Sequence, residues 1–210
     1  MASPAPDRSE PVVGWRLWLL VPVPGPRRAT KGWTLASPFV PVEWSPRVPA
    51  RALCMRCGDA PGRDCPCGLY ALWTGPFTED VPTLRGPAGS FSPPFAEPAL
   101  DSRCVIGRVA GWGRVIEHTK GWRASFAYPL SLAVICVGCL AWEARFRRAA
   151  WICTAPSGRR WATCERHTRE YLNMPCSMRR TVTSAEAESE LLTRYGVPHA
   201  ELPHLPPTRR

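Results

Sequence analysis

Lysine is almost missing from this chain. Lys31 and Lys120 are the only two, so a formal charge of +10 rests almost wholly on arginine. Arginine makes planar, bidentate contacts to phosphate and stacks on bases, where lysine acts as a point charge. The composition therefore favours an anionic partner, although a GC-rich coding sequence enriches Arg, Ala, Pro and Gly in the same way. Long apolar runs are also missing. The most apolar stretch near the start, residues 15 to 23, is cut by Arg16 and Pro22, and no window approaches the roughly 18 to 20 apolar residues of a membrane-spanning helix. The first ten residues carry Asp7, Arg8 and Glu10 where an export signal needs a basic start and an apolar core. The expected setting is cytoplasmic. Catalytic signatures are scarce too: no Gly-x-Ser-x-Gly elbow occurs, and the adjacent Glu117 and His118 point to opposite faces of a strand. No catalytic residue is assigned.

Proline and cysteine are abundant instead, at 25 and 10 residues, with 16 glycines. So much Pro and Gly commits a good part of the chain to turns and irregular loops, and small lobes of that kind need disulfides or metals as staples. The cysteines are arranged for the second. Cys54, Cys57, Cys65 and Cys67 fall within fourteen residues, among Gly58, Pro61, Gly62 and Gly68, which permit sharp turns. Four thiolates so close repel one another unless an ion holds them, and structural zinc is the first expectation, ahead of an iron-sulfur cluster or disulfides. A second set follows, with Cys136-x2-Cys139 answered by Cys164-x2-His167. Ligands two residues apart reach one ion, so two zinc ions are expected as cofactors. Filled, the sets would contribute −2 and −1 and bring the charge from +10 to about +7. Cys153 and Cys176 are alternative ligands in the second half; for Cys153, between Trp151 and Ile152, and for Cys104 the preferred reading is a buried thiol.

The chain reads in four parts. Residues 1 to 10 are expected to form a disordered tail rich in Pro, Ser and charge. Residues 11 to 135 form a β-rich domain that carries the zinc loop 54 to 67 and a Pro-rich loop, 75 to 101. Its strands are expected at residues 12 to 21 and 32 to 37, with an edge strand or extended loop at 39 to 44, and its clearest unit is a hairpin of residues 104 to 118 and 122 to 129 about a turn at Thr119 and Lys120. The glycines of the first hairpin strand allow a strong bend or a bulge, and together these strands suggest a small bent or barrel-like domain. Residues 68 to 73 fit a buried strand or one helical turn. Residues 136 to 180 form a treble-clef or zinc-ribbon-like module with a knuckle, a helical segment 140 to 149, a hairpin about residues 155 to 158 and a short helix from Cys164 through Tyr171. The last part, 181 to 210, is a helix over about 184 to 195 and a flexible tail. A capping box at Thr183 and Glu186 starts that helix, and Gly196 and Pro198 end it. The fold class is thus mixed and mainly β.

Nine arginines face three glutamates between residues 136 and 180, interleaved with Trp142, Phe146, Trp151 and Trp161. Arginine and aromatics on a zinc-stapled scaffold suit phosphate and stacked bases. The expected function is non-enzymatic binding of DNA or RNA through this module, with Arg147, Arg148, Arg159 and Arg160 on phosphate. The alternative is a protein adaptor that docks on a larger complex through exposed tryptophans, arginines and the C-terminal helix. Trp112, Trp122 and Arg123 are further candidates for a base pocket, against the commoner role of hairpin tryptophans in a core.

The stretches Cys65-Pro-Cys-Gly-Leu-Tyr-Ala and residues 107 to 129, Gly-Arg-Val-Ala-Gly-Trp-Gly-Arg-Val-Ile-Glu-His-Thr-Lys-Gly-Trp-Arg-Ala-Ser-Phe-Ala-Tyr-Pro, resemble a group of actinobacterial zinc-binding proteins without an assigned activity. The resemblance covers about residues 14 to 135. It implies a bacterial, cytosolic setting and one β-rich module followed by a zinc appendage, and it carries over no catalytic residue.

Overall fold

A computed structural model describes residues 7–24, 30–38, 42–74, 104–143, 145–154, 160–172 and 179–203. The Pro-rich loop 75 to 101 lies outside the described residues, as do Arg159 and Cys176. Alternation of apolar and polar residues makes the longest strands. These are β1 (Asp7–Pro24), β6 (Val105–His118) and β7 (Gly121–Pro129), joined by the short β2 (Thr30–Ala36), β3 (Glu43–Trp44), β4 (Ala50–Arg51), β5 (Leu69–Leu72) and β8 (Ala133–Val134). The first half of β1 pairs antiparallel with β6, Val12 opposite Gly111 and Trp18 opposite Val105, and its second half turns to pair with β2. β5 lies between β1 and β7, and β7 pairs with β6. The ring β1-β5-β7-β6 closes on itself, a four-stranded barrel with β2 and β3 extending from one wall.

A ring of four strands leaves little room inside, and the residues match that limit. The buried Trp122 fills the interior. A Cβ on Gly111 would come within 2.2 Å of its ring, and one on Gly14 within 2.7 Å of its indole nitrogen. Two strands must therefore present glycine to this one ring. β6 bends at a bulge between Trp112 and Val115, where Gly113 has φ of 75°, the positive region that glycine enters without strain. The two-residue turn of Thr119 and Lys120 brings His118 opposite Gly121.

The second half folds against this barrel. Helix α1 (Val137–Glu143) leads into the sheet β10-β9-β11, built from β9 (Trp151–Thr154), β10 (Arg160–Thr163) and β11 (Arg179–Thr183), with α2 (Glu165–Leu172) after β10 and α3 (Ser184–Tyr195) after β11. α3 has the expected bounds and both capping-box hydrogen bonds, and Gly196 ends it at φ of 67°. Its buried Ala187, Leu191 and Tyr195 join a core shared with Trp18, Trp33, Trp44 and Trp122 of the barrel and Ile152 and Trp161 of the second sheet. The Tyr195 hydroxyl bonds Thr34 Oγ1 and accepts from Leu35 N, both at 3.0 Å.

Four local expectations change. Residues 7 to 10 belong to β1, since Asp7 and Arg8 pair with Arg114 and Gly113. The helix expected over 140 to 149 spans Val137–Glu143 instead: the backbone from Arg147 to Ala149 is taken up by pairing with Val134, Ile135 and Cys136, with Cys136 N donating to Arg147 O at 2.8 Å and Ala149 N to Val134 O at 3.0 Å. β11, rich in Arg and Thr, has no apolar run to announce it, and forms because β9 offers it an edge. Past α3 the chain first docks before any tail begins: Ala200 N donates to Leu132 O at 2.8 Å, and Ala200 is buried.

Candidate metal centres

The first set sits on a loop between β4 and β5. Cys54 and Cys65 have sulfurs 3.6 Å apart, and Cys57 and Cys67 3.4 Å apart. Sulfurs bound to one tetrahedral zinc at about 2.3 Å would stand about 3.8 Å from one another, so the loop is close to that geometry already. Turns at Gly58 and Gly68, with φ of 70° and 129°, bring the sulfurs round, and a Cβ on Gly62 would lie 3.1 Å from Cys57 Sγ. Gly62 N donates to Cys67 Sγ at 3.2 Å. Backbone amides of Cys57 and Arg56 pull Cys54 down to about 6, while the neighbouring Cys67 sulfur raises Cys57 and burial raises Cys65. Sulfurs this close are relieved by a divalent ion that takes the place of their protons.

One arginine ties this loop to the barrel. Arg123 of β7 is buried, and its guanidinium donates to the carbonyls of Cys65, Cys67 (3.1 Å) and Arg63 (3.1 Å), with Nε on His118 Nε2 at 3.0 Å. Among the described residues it meets no carboxylate. A metal held by four thiolates would carry −2, and Arg123 places a positive charge directly behind two of the ligands. Arg114 of β6 adds an ion pair with Asp59.

The second set is enclosed. Cys136 and Cys139 stand at the start of α1, Cys164 just before α2 and His167 in its first turn, and all four are buried. His167 Nδ1 lies 3.2 Å from Cys136 Sγ, 3.5 Å from Cys139 Sγ and 3.4 Å from Cys164 Sγ, and Cys139 and Cys164 are 3.7 Å apart. Nδ1 is thus the ligand atom. Nε2 lies 3.2 Å from Arg166 Nη2, with the carboxylates of Glu143 at 3.7 Å and Glu170 at 3.6 Å around it. Arg166 pairs with both glutamates and holds them there. Hydrogen bonds from the Cys139 thiol and then from backbone amides pull Cys136 down to about 5, and Cys139 is raised in turn. Knuckle, hairpin and helix follow in treble-clef order.

All eight expected ligands therefore fall into two groups whose donor atoms lie within 4.8 Å of one another. Each group can hold one metal ion, and zinc is typical of such donor sets. Cys153 stays out of the second set, buried with its sulfur 3.5 Å from Thr163 Oγ1, and burial pushes the Cys104 thiol up to about 12.

Of the four arginines expected on phosphate, Arg159 lies outside the described residues, and the other three are placed differently from one another. Arg147 is exposed. Arg148 reaches inward to the buried Glu188 of α3 and donates to Ala200 O at 2.8 Å. Arg160 lies over the Trp33 ring at 5.8 Å. The role of Arg123 as an anchor was hidden in the sequence, because its neighbours on both sides, Trp122 and Ala124, are buried as well and β7 shows no alternation there. Trp112, half-buried, stacks on Phe126 at 6.3 Å. No helix among the described residues is long and apolar enough to cross a membrane.

Comparison of the chain with protein-family models, with curated proteins and with solved structures gave no match.

Proposed function

We propose that this chain is a non-enzymatic, two-zinc protein that binds DNA or RNA through the surface of its second metal module. One observation carries the reading. Arg145, Arg147 and Arg169 are exposed around the second metal centre, and among the described residues none has a carboxylate or other side-chain partner. Unneutralised guanidinium groups on a rigid scaffold are what phosphate recognition uses. Arg148 pairs with Glu188, Arg166 with Glu143 and Glu170, and Arg160 lies over Trp33, so the phosphate contacts proposed for this face shift to Arg145, Arg147 and Arg169.

The competing adaptor reading has less aromatic surface to draw on. Trp18, Trp33, Trp44, Trp122 and Trp161 are buried, Trp15, Trp73, Trp112 and Trp151 are half-buried, and the apolar side of α3 faces the core. What favours docking is the pair Leu53 and Met55, fully open on the first metal loop.

Titration of the zinc-loaded protein with single- and double-stranded oligonucleotides over a range of salt tests the proposal. Log affinity should fall linearly with log salt, and Ala at Arg145, Arg147 and Arg169 should each flatten the slope by roughly 0.7 to 0.9 while metal content stays unchanged. An unaltered slope in the folded triple variant would overturn the assignment to this face.

A further inference from the structure

A further candidate site lies where the first metal loop meets the end of the β6-β7 hairpin. Arg63, Asp64, Cys65 and Pro66 from the loop, Tyr70 to Leu72 of β5, and His118 and residues 120 to 123 of the hairpin line a cleft of about 540 Å³. That volume falls within the range of roughly 300 to 1,000 Å³ usual for small-molecule sites. We infer that this cleft binds a nucleobase carrying a phosphate, with the base stacked on Tyr70 and the phosphate near Arg63 and Lys120.

Three features define the ligand. Tyr70 offers an aromatic ring that is 43% exposed. Its hydroxyl donates to Pro66 O, so the ring is held in place at its far end. An anchored, open aromatic ring in a cleft is a stacking platform that any base can use. His118 is fixed as well: arginine can only donate, so His118 Nε2 accepts from Arg123 Nε at 3.0 Å, and the proton of the neutral ring sits on Nδ1. The rim therefore holds one directed N–H donor for a base edge or a phosphate oxygen. Charge is the third feature. Arg63 is exposed and belongs to the lining, where its guanidinium can meet a phosphate. Leu72 adds apolar surface to the lining.

The metal loop forms one wall, so ligand and metal are linked. Arg123 holds the carbonyls of Arg63, Cys65 and Cys67, and the wall should lose its shape when the loop loses its ion. This inference is independent of the nucleic-acid surface on the second module. Here a free nucleotide and an unpaired base within a strand offer the same chemistry.

Calorimetric titration of the intact zinc-loaded protein with AMP, GMP, CMP and UMP, and with an unstructured single-stranded hexanucleotide, tests the site. Saturable binding of at least one mononucleotide identifies a free-nucleotide site, and binding of the hexanucleotide alone identifies a site for a base within a strand. Tyr70→Ala should weaken that binding about tenfold, the size expected for one lost stacking contact, and Tyr70→Phe should largely retain it. Arg63→Ala keeps the backbone carbonyl that Arg123 uses, so it should lower the affinity and its salt dependence with the zinc content unchanged. Ala at Arg145, Arg147 and Arg169 should leave mononucleotide binding intact, which separates failure of this site from failure of the other surface. Absence of binding by every one of these probes overturns the inference, as does affinity that is indifferent to both Tyr70→Ala and Arg63→Ala.

Discussion

Gly138 occupies the middle of the second Cys-x2-Cys pair, and a Cβ there would stand 2.8 Å from ring atoms of His167. The residue is small because an imidazole packs on it. Alanine is the better helix former by about 1 kcal/mol, so a net loss from Gly138→Ala would isolate the steric conflict. We expect about 1 to 3 kcal/mol of destabilisation in thermal melts, with weaker metal retention at the second centre and none lost from the first. Arg123 can be read in the same way. Arg123→Met removes the guanidinium bonds that hold three loop carbonyls, so the first centre should lose at least tenfold in zinc affinity while the second is unaffected, measured by competition with a chelator. Arg123→Lys should not rescue it, because a point charge cannot span these acceptors. Both groups of candidate ligands were legible in the sequence, since ligand spacing is local and chemically restrictive. Arg123, Arg148 and Arg160 were not, because whether an arginine faces solvent, a carbonyl cluster or a buried carboxylate is decided by residues 40 to 130 positions away.

Among the elements, α3 was the most fully legible, since a capping box and a C-terminal glycine mark both ends locally. Thr183→Ala should cost about 1 kcal/mol by removing the cap. Leu191→Ala should cost about 2 to 5 kcal/mol, because Leu191 is wholly buried where α3 packs in the core shared by the barrel and the second sheet. Chemical denaturation followed by far-ultraviolet circular dichroism would give both values. The β6-β7 hairpin was equally readable from its turn and its glycines. β11 and the true end of α1 were hidden, because each depends on a pairing partner: β11 on β9, and the stretch after α1 on residues 134 to 136. Closure of the barrel had the same limit. It depends on one pairing, Trp15 with Leu72, between strands far apart in the chain.

At the scale of the whole molecule, the two centres differ in access. Cys57 is exposed and Cys54 and Cys67 are half-buried, whereas every ligand of the second set is buried. Zinc should therefore leave in two phases when the protein meets a chromogenic chelator, the first centre emptying faster. Cys65→Ser should remove the fast phase and leave the slow one. Loss of both phases together in Cys65→Ser would mean that the centres share ligands. The existence of two sulfur-rich tetrahedral centres is tested most directly by zinc-edge X-ray absorption on protein purified without added metal, together with its zinc content. Two zinc ions per chain should appear, with seven sulfurs and one imidazole nitrogen shared between them, at about 2.3 Å and 2.0 to 2.1 Å. One ion or none, or a first shell dominated by oxygen and nitrogen, would contradict it.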